Sequence, residues 1–392
     1  MNTKDYLSEI FPKTINYRLA RWGMARAGRP ITLTFSVTGM CQSRCKTCNI
    51  GIHFHQNPRE IKKLDLKIDE IERFFQSLGY AYFLNISGGE PFLRNDLAEI
   101  VALALKYLKP RIIHIPTNAF MPEKIERTTR AILDTINRYD GNIPFTVKPS
   151  IDGIGSKHDE IRGLPGNFER LKETIRRLKD VENEYENFHL ELGTVVSNFN
   201  IHDLDEIEDW VHDQGVQSYR NEIAEQREEF FNIGEAITPD SDVYEKLMKR
   251  FKEKVISNLR NKKSLARTTE SMRLVYYDLV VKILREEQQV IPCYAGISNI
   301  HLNYDGNIWP CCVLGYGHSM GNIRDHDFDY DTLYDSPQAK EVLKYIKGGK
   351  CYCPLANQAY SNMIISLPHL MKIFNNYWKY SSVKKNHRDT RG

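Results

Sequence analysis

Between residues 31 and 222, short apolar runs alternate with amphipathic stretches. ITLTFSV (31–37), YFLNIS (82–87), RIIHIP (111–116), FTVKPS (145–150), FHLELGTVV (188–196) and VQSYRN (216–221) read as strands. Helical spacing separates them: near 68–78, where Ile68, Ile71, Phe74, Phe75 and Leu78 share a face, then near 95–107, 122–138, 167–180 and 203–213. A regular strand–helix repeat predicts parallel strands joined by right-handed crossovers. Six such units predict an α/β fold built as a partial (β/α)6, TIM-like barrel. In this architecture functional groups gather in the loops after the carboxyl ends of the strands.

The texture divides the chain further. Residues 1–30 form a basic arm, 31–235 the barrel, 236–288 a charged helical bridge, 289–360 a smaller domain and 361–392 a basic tail. Within the smaller domain, CYAGISNIHLNYDGNIWPCC (293–312) alternates short strands around Asp305–Gly306, a hairpin pattern. Residues 1–30 hold six Lys/Arg against two acids, and 361–392 six against one, with aromatics in both (Tyr6, Phe11, Tyr17, Trp22; Phe374, Tyr377, Trp378, Tyr380). Terminal helices closing the ends of the barrel account for this pattern. Contact with an anionic membrane surface or a lipid-linked substrate is the alternative.

Composition narrows the chemistry. The 392 residues carry a net charge of +3, so bulk electrostatics give nucleic-acid binding no support. No run has the length of a membrane span, and MNTKDYLSEI lacks the apolar core of a signal peptide, which places the chain in the reducing cytoplasm. There, clustered cysteines mean metal or redox chemistry. The eight cysteines fall at 41, 45 and 48, then at 293, 311, 312, 351 and 353, which suggests two metal sites. CQSRCKTC (41–48) follows the first strand directly. Three thiols leave a zinc ion one ligand short unless His53 or His55 joins them, and they suit a 4Fe–4S cluster with one open iron.

At the end of a first strand, CQSRCKTC resembles the CxxxCxxC signature of the radical S-adenosylmethionine (radical SAM) superfamily. That resemblance implies Cys41, Cys45 and Cys48 as ligands of a 4Fe–4S cluster, with S-adenosylmethionine on the open iron. SGGEP (87–91) resembles the GGE motif that grips the methionine amino group, through Gly88, Gly89 and Glu90. PTNA (116–119) stands where relatives carry a TNG-like turn, with Thr117 and Asn118 in place and Ala119 replacing glycine. SIDG (150–153) implies Ser150 and Asp152 at the ribose hydroxyls. HDEIRG (158–163) implies Arg162 at the methionine carboxylate, and GTVVSN (193–198) implies backbone around Thr194 at the adenine. Relatives place an aromatic residue before the third cysteine; here it is Thr47. His53 and His55 then read as ordinary loop residues, since the cluster does not require them.

The later hairpin resembles the SPASM domain or its shortened Twitch form, and GNIRD (321–325) is typical of the segment after it. Cys293, Cys311, Cys351 and Cys353 would hold a second, auxiliary 4Fe–4S cluster, with zinc on the same thiolates as the alternative. Cys312 is left over. It stands where some relatives carry a proton-accepting aspartate, and it reads as a hydrogen-atom donor, a cluster ligand or a small buried apolar residue. Alternation along the strand would turn Cys311 and Cys312 in opposite directions. The resemblance implies an enzyme that cleaves S-adenosylmethionine to a 5′-deoxyadenosyl radical, drawing electrons from a reductant such as flavodoxin or ferredoxin. The substrate expected is a sugar, cyclitol or lipid-linked metabolite, undergoing oxidation or epimerisation. A ribosomal peptide or protein substrate and a non-catalytic metal-stabilised binding module are the alternatives.

Overall fold

The computed structural model describes residues 9–216, 218–259 and 264–379. Residues 1–8 and 380–392, with Tyr6 and Tyr380, lie outside the described residues, as does Gln217 of the sixth strand. The described chain forms two compact units, one of residues 27–239 and 294–348, the other of 9–26, 240–293 and 349–379.

In the first unit, six strands appear where the apolar runs predict them: β1 (Thr32–Ser36), β2 (Phe83–Ser87), β3 (Ile112–Thr117), β4 (Phe145–Pro149), β5 (Phe188–Val196) and β6 (Ser218–Ile223). All neighbours pair in parallel, from Thr32 beside Phe83 to Glu191 beside Ser218. The helix Ile68–Leu78 shows why each crossover forms. Glu70 accepts from the Lys67 N–H (2.9 Å) at its start, and Gly79 closes it in the left-handed region (φ 67°). Ile71, Phe74, Phe75 and Leu78 are buried on one face, as their spacing predicts.

The sheet continues beyond these six strands. β7 (Asn299–Leu302) lies parallel to β1, and the hairpin partner β8 (Asn307–Trp309) and β9 (Gly321–Asn322) follow antiparallel. The strand order is β6-β5-β4-β3-β2-β1-β7-β8-β9, so β1 is interior, paired on both edges. The hairpin turn at Asp305–Gly306 agrees with the sequence pattern. The parallel pairing of β7 with β1 does not announce itself there, because it joins distant segments. Cys311 and Cys312 lie past the end of β8 in a turn, so strand alternation does not set their directions.

The second unit is helical: Phe11–Trp22, Ser241–Leu259, Ser264–Glu286, Ala356–Ile365 and Leu367–Lys379. The helix Ser264–Glu286 packs on Ser241–Leu259 and on Leu367–Lys379, while Ala356–Ile365 packs on Phe11–Trp22 and Leu367–Lys379. Tyr17, Tyr244, Tyr276 and Tyr277 are buried there, and the Tyr276 hydroxyl donates to Pro354 O (2.9 Å). Among the described residues no helix is long and apolar enough to cross a membrane.

Arg94 locks the β1 and β2 ends together. Its guanidinium donates to Val37 O (2.7 Å), Leu66 O (2.7 Å) and both oxygens of Asp96 (2.7 and 3.0 Å), and the side chain is almost fully buried. Arg94→Met would leave two buried carbonyls and a carboxylate without their donor. The expected cost is roughly 2–5 kcal/mol. It would be read as a lower urea midpoint by far-ultraviolet circular dichroism, and an unchanged midpoint would remove Arg94 from this role.

Candidate active site and cysteine loops

The loop after β1 carries Cys41, Cys45 and Cys48, and neighbouring strand ends pin its backbone. From the β2 end, Gly89 N–H donates to Thr38 O (2.8 Å) and Glu90 N–H to Met40 O (2.8 Å). Arg44 N–H and Lys46 N–H donate to Arg162 O (3.1 Å) and Ile161 O (2.8 Å), at the end of the helix Ser156–Arg162. Glycine permits the approach. A Cβ at Gly89 would stand 2.2 Å from Met40 O, and one at Gly51 would stand 1.6 Å from Ser43 O. Gly89 therefore makes room first for the cysteine loop itself.

The thiols fit a cluster. Cys41 and Cys45 are buried and Cys48 half-buried. Burial, with Cys45 beside it, pushes the Cys41 thiol up to about 12. Burial also raises Cys45, against the pull of Arg162, and Cys48, with Cys45 again beside it. Three converging thiols in a buried loop need a positively charged iron centre before they ionise together, which is what a 4Fe–4S cluster provides. His53 and His55 sit on a short helix, Ile50–Gln56, instead of in a loop; the His53 ring lies 4.5 Å from that of Phe231, and His55 Nε2 is 3.4 Å from Gln42 O.

Each of the other motif residues has a definite place. Glu90 is buried. Its carboxylate accepts from Thr117 Oγ1 (2.9 Å), Phe92 N–H (3.2 Å) and Asn118 N–H (2.7 Å), and burial raises its pKa. A carboxylate has about four lone-pair positions, so one direction remains for a further donor. The Asn118 side chain donates to Ser43 Oγ (3.0 Å), tying the third strand to the cysteine loop. Ala119 keeps a left-handed conformation (φ 62°) despite its methyl group, a strain of about 1 kcal/mol. Asp152 accepts from Arg162 Nη1 (3.0 Å) and Val195 N–H (2.9 Å), so the two residues expected at different ends of the cofactor are paired with each other. Arg162 Nε is buried with no partner, a donor still unused beside Cys45 and Cys41. Ser150 is only partly buried and bridges to Gly193, while the Thr194 hydroxyl donates to Ile151 O and accepts from Tyr219 (2.9 Å).

Of the later cysteines, Cys293 and Cys351 come together in the helical unit. Burial, with Cys293 beside it, pushes the Cys351 thiol up to about 12. Cys353 belongs to the same unit, and Cys311 to the sheet unit. Cys312 is buried. Its sulfur, a carboxylate oxygen of Glu229 and a ring nitrogen of His301 all lie within 4.8 Å of one another. Ser36 Oγ joins them, donating to Glu229 Oε1 (3.0 Å) and lying 2.7 Å from His301 Nε2.

A small cavity opens in front of Gly88 and Gly89, and its polar wall includes Ser36, Thr38, His53, Glu229, Tyr304 and Tyr316. Cys312 is not on that wall; Ser36 and Glu229 are. The sequence reading missed Glu229 and His301. Glu229 lies in an acidic loop run with no local signature, but His301 is the lone charged-type residue within the apolar NIHL strand, a signal that was available. The same signal recurs at His114, Lys148 and Glu191. These residues build a polar network across the strands, with His114 bonded to Asn85 (2.8 Å) and Lys148 to Glu222 (3.3 Å).

Residues 35–211 match the radical SAM superfamily, and residues 293–354 match SPASM, an iron–sulfur cluster-binding domain. The chain carries a radical SAM domain. Its relatives include the antilisterial bacteriocin subtilosin biosynthesis protein AlbA of Bacillus subtilis, 23% identical over 83% of this chain and 66% of that one. A GTP 3′,8-cyclase of Mannheimia succiniciproducens is 27% identical over 51% of this chain and 56% of its own. The chain thus spans just under two thirds of the first relative's length and little more than half of the second's. Among solved structures, anSMEcpe with bound AdoMet and the Cp18Cys peptide superposes with a TM-score of 0.54 at 14% identity, over 90% of this chain and 96% of that one. Streptococcus suis SuiB bound to the precursor peptide SuiA gives 0.55 at 16%, over 83% and 69%. Both share the fold. The two matched domains are ones that hold 4Fe–4S clusters, in keeping with the thiol sets above.

Two measurements test this geometry. Gly51 opens a helix, where alanine would ordinarily stabilise by about 0.5–1 kcal/mol. Here Gly51→Ala drives a methyl group into Ser43 O, and reconstituted protein should drop from near eight irons per chain to about four. Iron content equal to the parent's would show that the loop is not held this way. Burial pushes Asp65 up to about 6, although Thr38 Oγ1 (2.7 Å) and Gly39 N–H (3.3 Å) donate to it. A carboxyl whose folded pKa lies above its unfolded value binds its proton more tightly when folded. Its contribution to stability therefore falls as pH rises from about 4 through 6. Relative to Asp65→Asn, the parent's urea midpoint should decline between about pH 4 and 6; parallel curves would contradict the shift.

Proposed function

We propose that the chain is a radical SAM enzyme that oxidises a peptide or protein substrate. The observation that carries the catalytic part is the packing of the three-cysteine loop directly against Glu90 and the Asp152–Arg162 pair, with the Arg162 Nε donor unused. When bound, the clusters and S-adenosylmethionine supply the electron, the 5′-deoxyadenosyl radical that removes a substrate hydrogen atom, and an acceptor for the electron that leaves. The chain's own residues bind and orient. Glu90 offers its remaining acceptor direction to the methionine ammonium, and Arg162 Nε offers a donor to the methionine carboxylate. Asp152 and Ser150 serve the ribose hydroxyls. Thr117 and Asn118 act through Glu90, holding its carboxylate in place, and the backbone around Thr194 faces the adenine.

The names of the relatives turn the substrate away from the sugar, cyclitol or lipid-linked metabolite that the sequence reading placed first. AlbA is a bacteriocin biosynthesis protein, and the anSMEcpe and SuiB structures hold peptides. A peptide substrate fits these better, and the binding-module alternative has no comparable support. Within the cavity, Glu229 is the group placed to accept a proton from a substrate radical. Cys312 is buried and does not line the cavity, which favours oxidation over hydrogen return by that thiol.

Anaerobic holoenzyme, co-expressed with short open reading frames that neighbour its gene, should yield a peptide lighter by a pair of hydrogens, together with 5′-deoxyadenosine. Glu229→Gln should still release 5′-deoxyadenosine but accumulate little modified peptide. Modification of a nucleotide or sugar, with every peptide unchanged, would refute the substrate class.

A further inference from the structure

The two helices nearest the chain ends expose apolar side chains in register. On Phe11–Trp22 these are Phe11, Ile15, Leu19 and Trp22, and on Leu367–Lys379 they are Leu367, Met371, Phe374 and Trp378. At 100° per residue, the first set spans an arc of about 80° and the second about 60°. Each is a continuous stripe. Fractional exposure runs from 37% at Leu19 to 65% at Trp22, and from 54% at Leu367 to 61% at Phe374. A run of this kind is more than the scattered single hydrophobics of an ordinary surface. Met24, just beyond the first helix, is 67% exposed and extends its stripe.

Charge identifies what covers them. Neither helix contains an acidic residue, whereas the first carries Lys13, Arg18 and Arg21 and the second Lys372 and Lys379. Arg18 and Arg21 are engaged with backbone carbonyls of their own unit, at Ile365 (2.9 Å from Nε) and Cys293 (3.1 Å), which anchors the first helix. Both helices pack against the same intervening helix, Ala356–Ile365, within one unit. The sequence after residue 379 adds Lys384, Lys385, Arg388 and Arg391 against Asp389 alone. A protein partner would answer exposed apolar stripes with any charge; a predominantly basic surround, with aromatic residues at three of the four stripe ends, matches an anionic bilayer interface.

We propose that the helical unit docks on an anionic membrane surface through these two stripes, as a peripheral contact without a spanning segment. Burying several large side chains at the acyl boundary, with attraction by the flanking cations, gives binding that depends on anionic lipid and weakens with salt. The contact is independent of the substrate proposed above, because no substrate or cofactor chemistry enters its test.

Holoenzyme would be sedimented with vesicles of phosphatidylcholine alone, and with vesicles containing about a third phosphatidylglycerol. Binding to the anionic vesicles only, reduced by added salt, is expected. Ile15→Asp with Leu19→Asp, and separately Met371→Asp with Phe374→Asp, should each lower the vesicle partition coefficient roughly tenfold or more. These side chains are exposed, so iron content and the urea midpoint should match the parent's. Absence of vesicle binding, or binding unaffected by either pair of changes, would overturn the proposal. Concentration-dependent self-association that the same variants abolish would also overturn it, assigning the stripes to a second copy of the chain.

Discussion

The site depends on one steric constraint: the backbone of residues 40–44 lies in direct contact with the backbones around it, at distances no side chain would allow. Gly89 presses on Met40 and Gly51 on Ser43, while Arg44 and Lys46 bond to the end of the helix Ser156–Arg162. A short loop with three thiols has little intrinsic preference for one shape. Here the carboxyl ends of β1 and β2, and the helix after β4, share its backbone hydrogen bonds, so the thiols converge only if those elements are already in register.

Electrostatics reinforces that convergence. Glu90 and Asp152 are buried carboxylates on either side of the cysteines, and Arg162 is the cation that serves both Asp152 and the thiols. Such a group is costly to bury unless its hydrogen bonds are filled. Most are filled by backbone N–H groups, which cannot move away when a ligand arrives. Arg162 Nε is left unfilled, and a buried donor without a partner is where a negatively charged ligand group gains most.

Much of this was legible beforehand, for local reasons. Apolar runs such as RIIHIP and FTVKPS are long enough to mark strands alone, and the helix Ile68–Leu78 follows its periodicity. The cysteine spacing and the GGE and SIDG runs lie at strand ends, where a parallel architecture puts its chemistry. What escaped notice depends on distance in sequence. Nothing in NIHL tells that His301 faces Ser36 and Glu229, and the acidic run holding Glu229 resembles any solvated loop. Single charged residues inside apolar strands, at His114, Lys148 and Glu191, were the overlooked sign that the strands have a polar side. The substrate class had no such local sign, because no motif in the sequence reports what enters the cavity.

The pairing of β7 with β1 sets an order of events during synthesis. Thr32 lies beside Asn299, so the first strand emerges from the ribosome long before its second neighbour exists. Until then one edge of β1 presents unpaired backbone donors and acceptors directly upstream of three reactive thiols, a combination that invites strand pairing with another chain or oxidation. A nascent chain of this design gains from an occupant for its thiols, or a chaperone on its open edge, before translation ends.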